Sequence, residues 1–378
     1  SLSLTLVSIL PFGFFIAYGI MSIPSGFLVE RYGAKPVMVV AFMVAFCGAL
    51  LFALFPSYLI AIVSLFLIGS GMAMLQVVIN PLLRVAGGEE HFAFNSTIAQ
   101  LVFGSASFVS PLVYSYIVTN MKTTEAVEQA NWLIQTLYKL VPRNLHWVSL
   151  YWIFAVIAIL MIIVIYLSKL PKVELKGDEK TGTKDDYLEL LKNKYVILFF
   201  LGIFMYVGSE QGVGNWISKF LEDYHGLNPQ TTGAQTVSRF WGLMSIGGLV
   251  GLVFLKLMDS QKVLIIFTTS AIIALLVALF GPTIAALIAF PAIGFFMAVM
   301  YPIVLSLGLN SVSEHHGAFA GILMTGIFGG AVVPVIIGSL ADLFTLRIAM
   351  LFLIITSGYV LSVGIWANPL IKNKTIND

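Results

Sequence analysis

The chain has 378 residues, of which 59% are hydrophobic and only 10% are charged, and its mean hydropathy is +0.98. Soluble domains average about 45–50% apolar and 25% charged residues, so this composition excludes a soluble globular protein and indicates a membrane protein. The net charge of +2 is too small for a nucleic-acid surface. The single cysteine, Cys47, excludes an intrachain disulfide.

Long apolar runs occupy most of the chain. A helix needs about 20 apolar residues to cross a bilayer. By this measure the sequence predicts an all-helical, multi-pass membrane protein with five spans before a charged stretch and six after it. The spans are predicted near residues 4–29, 36–55, 58–83, 93–119, 146–168, 195–221, 231–257, 262–281, 283–309, 317–341 and 347–368.

The charged stretch, residues 169–194, contains seven lysines and six acids. It predicts a solvated linker, with a short helix around Asp185 to Leu191. The linker separates an N-terminal bundle, residues 1–168, from a C-terminal bundle, residues 195–368, and a tail of residues 369–378 follows.

Lysines and arginines in the connections predict the orientation, because cytoplasmic loops are enriched in them. The alternating connections contain fourteen such residues on the linker side and five on the other. The linker and C-terminus are therefore predicted to be cytoplasmic, in a bacterial inner membrane. On the other side, the Asn120 to Leu145 segment predicts a short amphipathic helix around Glu125 to Leu140 at the membrane surface.

The two halves resemble each other. A shift of 225 residues superposes ten residues, including Gly69 on Gly294, and a shift of 223 superposes Gly19 on Gly242. Chance matching is the alternative, but a shared Glu-x-His-x-Ala-Phe argues against it. Parallel repeats are typical of secondary transporters. The repeat partner of the span at 195–221 would lie before Ser1, so one further helix is expected there in the natural protein.

Amides interrupt the apolar runs. Gln76 and Asn80 are four residues apart, so they share one face of a helix, and Gln211 and Asn215 repeat this spacing in the other half. Gln100 is a further candidate. Polar residues within a span usually face the bundle interior or a water-filled cavity, and amides both donate and accept hydrogen bonds. We therefore predict a binding site for a neutral, hydroxyl-rich substrate. Hydrogen bonds that only join helices, averaging about 0.6 kcal/mol, are the alternative.

Other side chains suggest further roles. Tyr206 and Trp216 could stack on the apolar face of a sugar ring, although aromatic residues near span ends more often lie at the membrane interface. Glu210 is a carboxylate well inside a span and is a candidate for ion coupling. A buried ion pair with Arg239 on the next span is the alternative. The sequence contains no spacing typical of a metal site or of a cofactor site.

The segment Gly26–Lys35 joins the first two spans. It resembles the cytoplasmic loop motif of the major facilitator superfamily, Gly-x-x-x-Asp-Arg-x-Gly-Arg/Lys, with Glu30 in place of the usual Asp. The resemblance implies a cytoplasmic gate whose acid and base pair across the two halves. A plain solvated turn is the alternative. The residues that match the motif are Gly26, Glu30, Arg31, Gly33 and Lys35.

Longer matches cover nearly the whole chain. The segments Leu75–Pro81, Thr97–Gln100, Tyr206–Trp216, Phe296–Gly308 and Met324–Gly330 resemble motifs of the fucose permease and glucose/galactose permease family. That resemblance implies the major facilitator fold, with two pseudo-symmetric six-helix bundles of which spans 2–6 and 7–12 are present.

The same resemblance implies a function. It predicts uptake of a hexose driven by protons or sodium, by alternating access, in a monomer that needs no cofactor. The fucose branch has Glu at the position of Gln76, so glucose or galactose is favoured over fucose. At Phe103 the chain departs from the family, which usually has Asn there. A carrier of another small polar or amphipathic solute and a membrane receptor without transport activity remain the alternatives.

Overall fold

The computed structural model describes residues 3–87, 92–170, 183–312 and 314–370, without the side chains of residues 80–81, 83–87, 92–101 and 316. Within these ranges all regular structure is helical. The N-terminal half consists of α1 (Leu4–Tyr32), α2 (Ala34–Leu54), α3 (Tyr58–Gly87), α4 (Phe92–Asn120), α5 (Thr124–Gln129), α6 (Trp132–Leu140) and α7 (Ser149–Leu167).

The linker contains α8 (Lys184–Leu190), close to its predicted position. The C-terminal half consists of α9 (Lys194–His225), α10 (Ala234–Leu257), α11 (Ser260–Phe280), α12 (Thr283–Met297), α13 (Met300–Leu309), α14 (His316–Thr325), α15 (Gly329–Leu343), α16 (Leu346–Met350) and α17 (Phe352–Trp366). Three spans are built from two helices each, namely α12 with α13, α14 with α15, and α16 with α17.

Eleven segments of the described chain are long and apolar enough to cross a membrane, as predicted. The predicted amphipathic helix around Glu125 to Leu140 differs, because the structure has two short helices, α5 and α6. Asn131 starts α6 by accepting a hydrogen bond from the backbone N–H of Ile134 at 3.1 Å. Asparagine favours this cap position over a helix interior, which explains the break. Leu137 in α6 is buried against Met121.

Glycines set the closest helix contacts within each half. A Cβ at Gly69 in α3 would overlap the carbonyl oxygen of Phe14 in α1, and a Cβ at Gly294 in α12 would overlap that of Phe240 in α10. Gly69 and Gly294 superpose in the sequence repeat. The repeat therefore corresponds to equivalent helix pairs, in which the missing side chain lets two backbones approach.

The two halves meet along two helix pairs, α1 with α14–α15 and α4 with α10. Gly19 in α1 lies against Phe328, which connects α14 and α15, and Gly242 in α10 lies against Phe108 in α4. Gly19 and Gly242 are also repeat partners. A helix from each half thus presents a small residue to an aromatic ring of the other half.

The linker distinguishes the two ends of the molecule. Lys35, at the start of α2, donates from Nζ to the carbonyl oxygens of Tyr166 and Ser168, both at 2.8 Å, where α7 ends and the linker begins. We call this the linker end. Because α1 ends just before Lys35 and is 29 residues long, its first residue, Leu4, lies at the opposite end.

Substitution of Gly69 by alanine tests the close packing of α1 on α3. Gly69→Ala is expected to destabilise the protein by about 1–3 kcal/mol, because the added methyl group meets backbone atoms that cannot rotate away. Gly248→Ala is the matched control, since a Cβ there meets no atom within 4 Å. Thermal unfolding in detergent measures the effect, and equal midpoints for the two variants would contradict it.

Candidate functional site

The middle of α9 brings a carboxyl, an amide and a phenol together. Gln211 donates from Nε2 to Oε1 of Glu210 at 3.0 Å. The hydroxyl of Tyr206, one helical turn earlier, lies beside the same carboxyl. Tyr206 is 3% exposed, whereas Glu210 and Gln211 are half-buried. The carboxyl is therefore held by neighbours on its own helix.

Two more tyrosines approach this group from other helices. The ring of Tyr301 in α13 lies 6.0 Å from the ring of Tyr206, measured between centroids. Its hydroxyl donates to Sδ of Met324 in α14 at 3.2 Å. Tyr18 in α1 is buried and lies within electrostatic range of Tyr301. Phenol groups from both halves therefore lie close together, and those of Tyr206 and Tyr301 are within electrostatic range of Glu210.

The amide of Gln211 lies where the halves meet. A Cβ built on Gly330 in α15 would be 3.0 Å from Cγ of Gln211 and 3.0 Å from Cδ1 of Phe15 in α1. The three residues belong to three helices, and Phe15 comes from the N-terminal half. The Gln211 side chain is thus placed between the halves.

Gln76 belongs to the N-terminal half. It is half-buried in α3 and has no hydrogen-bond partner among the described side chains and backbone. Ala73, one turn earlier on the same face, is buried in the cluster that contains Tyr18. The side chains of Asn80 and Gln100, the other amides predicted in this half, lie outside the described residues.

The other predicted site residues with described side chains are either exposed or packed in the core of the C-terminal half. Asn215 is exposed one turn beyond Gln211, and Trp216 is only 3% exposed. The indole of Trp216 packs in the core of the C-terminal half, and its Nε1 has no hydrogen-bond partner among the described residues. Arg239 is exposed. The ion pair considered between Glu210 and Arg239 is not formed, because both side chains are described and no contact joins them.

A cavity of about 460 Å³ lies on the side of the linker end. Ile23 of α1 and Tyr187 of α8 contribute to its wall, together with Leu191, Ile197, Phe200, Ile322 and Thr325. Thr325 follows Met324, the partner of the Tyr301 hydroxyl. The lining is mostly apolar, and Tyr187 and Thr325 contribute its hydroxyl groups.

The linker helix α8 closes this cavity and is fixed by local hydrogen bonds. Thr183 and Asp186 form a capping box, in which the Asp186 carboxylate accepts from the Thr183 backbone N–H at 2.6 Å. This hydrogen bond lowers the pKa of Asp186 below its ordinary value. The cap is therefore complete at neutral pH and is lost as the pH falls through that lowered pKa. His315, which precedes α14, lies 3.7 Å from Asp186.

The predicted gate motif makes contacts mainly within its own half. Gly33 has φ +83°, a conformation that favours glycine, and ends α1 before α2 begins. Lys35 binds the last carbonyls of α7, and the Arg31 guanidinium lies over the ring of Tyr32, 5.3 Å from its centroid. Glu30 is exposed, and Gly26 is half-buried. Among the described residues, no ion pair of this motif crosses between the halves.

Two residues of the group were not predicted as site residues. Tyr18 carries a weak signal, since it directly precedes the repeat residue Gly19, and Tyr301 stands in a segment quoted above only for its resemblance. Their approach to Glu210 depends on three separate helices. Together with Gln76 and Gln211, they can offer hydroxyl and amide groups to a neutral polar solute, and the carboxyl can take up or release a proton. No metal-binding cluster occurs within the described ranges.

Sequence comparison identifies the group of proteins to which this arrangement belongs. The Major Facilitator Superfamily profile matches residues 1–334. The chain belongs to the major facilitator superfamily. Members of this superfamily are membrane transporters and not enzymes.

Relatives place the chain among the fucose and glucose/galactose permeases. It is 32% identical over 373 residues to the glucose/galactose transporter of Brucella abortus biovar 1 (strain 9-941), covering 96% of this chain and 86% of the relative. It is 25% identical over 350 residues to the L-fucose-proton symporter of Escherichia coli (strain K12), covering 87% and 77% of the two chains.

Solved structures share the fold. The fucose transporter FucP in the outward conformation has a TM-score of 0.70 at 22% identity, covering 96% of this chain and 90% of that one. An inward-facing bacterial homolog of the lysosomal transporter Spinster has a TM-score of 0.65 at 14% identity, covering 96% and 90%. The major facilitator architecture predicted from the sequence is confirmed.

Lys35 provides a test of the contact between α2 and the end of α7. Lys35→Met is expected to destabilise the protein by about 0.3–1 kcal/mol, because it removes a cation from a helix C-terminus. Thermal unfolding in detergent measures the change. Lys194→Met is the control, since Lys194 is exposed and lies over the ring of its neighbour Tyr195. Equal stability of both variants would show that the carbonyl contacts contribute nothing.

Proposed function

We propose that this protein is a secondary active transporter that takes up a hexose together with a cation, either a proton or sodium, by alternating access. The main support is the position of Gln211. Its side chain lies at Gly330 together with the ring of Phe15, and its amide is hydrogen-bonded to Glu210. An amide and a carboxyl then lie together at the boundary of two halves that can separate. Relatives named as sugar transporters support the class of substrate.

A glucose- or galactose-like substrate is favoured over fucose. Two independent observations support this preference. Gln76 is an uncharged amide, which suits sugar hydroxyls, where the fucose branch has a carboxylate. The identity to the glucose/galactose transporter of Brucella is 32%, against 25% to the fucose symporter of Escherichia coli. Asn80, Gln100, Asn215, Tyr206 and Trp216 remain further candidates for contact with the sugar.

The transport cycle requires an orientation. We propose that the linker end is cytoplasmic, as the excess of lysine and arginine in its connections indicates, and that the bacterial inner membrane contains the protein as a monomer. Residues 1–168 and 195–368 would then move as two bundles about the central group, with the segment Gly26–Lys35 acting at the cytoplasmic gate. Glu210 is the ion-coupling candidate, whereas the exposed Arg239 has weaker support.

Counterflow in proteoliposomes tests the function. Labelled glucose, galactose and fucose would be compared at two pH values, each with and without sodium. We expect saturable exchange of glucose or galactose, and a response to pH or to sodium that identifies the coupling ion. Exchange of none of the three would reject the hexose assignment and leave a carrier of another polar solute, or a receptor, as the explanation.

Two amides are expected to contribute to sugar affinity. Gln76→Ala and Gln211→Ala should each raise the Kd for the transported sugar about three- to tenfold, because each removes about one neutral hydrogen bond. Binding titration in detergent measures the change. Gln235→Ala is the matched control, since this amide is exposed on α10. An unchanged Kd in both variants would show that the amides only join helices.

Glu210→Gln separates ion coupling from a structural role. The variant is expected to keep sugar exchange and to lose uphill accumulation, because an amide cannot carry a proton across the membrane. Counterflow and gradient-driven uptake are measured on the same preparation. Glu222→Gln is the control, because Glu222 is an exposed carboxylate near the far end of α9 and pairs with Lys219 at 3.1 Å. Accumulation at the parent level in Glu210→Gln would exclude Glu210 as the coupling group.

A further inference from the structure

One carboxylate joins the two halves at the opposite end of the molecule. Asp342, the second-last residue of α15, accepts hydrogen bonds from the backbone N–H groups of Leu4 and Thr5 at 2.9 and 2.8 Å. It also accepts from the Thr5 hydroxyl at 2.6 Å. We call these three hydrogen bonds the Asp342 contact. Leu4 and Thr5 begin α1, so the contact connects the N-terminal half with the C-terminal half.

Both helix ends favour this contact. The first N–H groups of a helix have no partner within the helix, and they form the positive end of its dipole. A carboxylate stabilises such an end. The last turn of α15, by contrast, is a negative end, where an acidic side chain is unfavourable. The Asp342 charge is therefore better placed when α1 lies beside it than when the halves are apart.

Close packing supports the same pair of helices. Gly338, one turn before Asp342, is buried, and a Cβ there would lie 2.7 Å from Oγ of Ser8 and 2.8 Å from the carbonyl oxygen of Leu4. The Thr5 hydroxyl also lies 3.4 Å from Oγ of Ser339. The glycine lets α1 approach closely enough for its backbone to reach the carboxylate.

The second helix pair between the halves, α4 with α10, has no charged hydrogen bond in its described part. In the described part of the contact between α4 and α10, Ser238 donates to the carbonyl oxygen of Phe108 at 2.7 Å, and Phe108 packs on Gly242. Neutral groups make that contact. The charged hydrogen bonds between the halves at the opposite end therefore come from Asp342, which makes α1 and α15 the pair most sensitive to one substitution.

We propose that Asp342 is a conformational latch, which holds the end of the molecule opposite the linker closed and is released when the halves separate there. The proposal rests on the proposed function, since alternating access requires each end to open in turn. On opening, water replaces the N–H groups of α1 around the carboxylate. The strength of the Asp342 contact then sets how much of the protein is open at this end.

A distance measurement tests the latch without any sugar. Spin labels would be attached to cysteines that replace Phe55 in the N-terminal half and Phe344 in the C-terminal half, in a Cys47→Ser background. Both phenylalanines are exposed, at 60% and 63%, and both lie at the opposite end. Pulsed electron spin resonance on the protein in nanodiscs then gives the distances in closed and open molecules.

Asp342→Asn is expected to raise the ratio of open to closed molecules about three- to fivefold, because the charge at the helix end is lost. Thr5→Val removes only the hydroxyl donor, so it should shift the ratio in the same direction by less. Glu222→Gln, an exposed carboxylate outside the contact, should leave the distances unchanged.

Unchanged distances in folded Asp342→Asn protein would overturn the proposal. If that variant does not fold, Thr5→Val provides the test. An unchanged distance distribution in Thr5→Val would then overturn the proposal. Counterflow on the same preparations separates this outcome from a failure of the proposed function. A shifted distance with no exchange of any hexose would support the latch and reject the sugar.

Discussion

Hydrocarbon offers no hydrogen-bond partners, and this constraint explains where the polar residues of the protein lie. Short hydroxyl side chains satisfy it locally. Ser22 and Ser70 each donate to the backbone carbonyl four residues earlier in their own helix, and Thr236 donates to that of Thr232, just before α10. The longer amide and carboxyl groups of Gln211 and Glu210 satisfy it by bonding each other, and the Gln211 side chain lies at the boundary between the halves.

Glycines allow the helices at that boundary to pack closely, because they have no side chain between the two backbones. Gly69 and Gly294 occupy equivalent places in the two halves and bring α1 onto α3 and α10 onto α12. The same two helices, α1 and α10, then face the opposite half through Gly19 and Gly242. Each of them thus packs tightly on one side and contacts the other half on a second side.

The two ends of the molecule are closed by different chemistry. At the linker end, α8 covers an apolar cavity and is fixed by its own capping box. At the opposite end, hydrogen bonds between Asp342 and the start of α1 join the halves. Apolar closure is lost gradually as surfaces separate, whereas charged hydrogen bonds are lost over a short distance. The difference suits a protein whose ends open at different stages of a cycle.

The sequence by itself determined the features that depend on neighbouring residues along the chain. Hydropathy over about 20 residues predicts the eleven spans, charge predicts the linker helix, and the four-residue spacing of Gln211 and Asn215 predicts a shared helix face. The repeat predicts that Gly69 and Gly294 are equivalent. Each of these signals is local or is a comparison of the sequence with itself.

Only the tertiary structure decided which distant residues meet. It separates Glu210 from Arg239, joins Lys35 to the end of α7, and brings Tyr301 towards Glu210 and Tyr18 towards Tyr301. Tyr18 and Tyr301 are 283 positions apart in the chain, and composition and periodicity contain no information about their distance. Such contacts depend on how whole helices pack, because a small rotation of one helix gives each of its side chains a different neighbour.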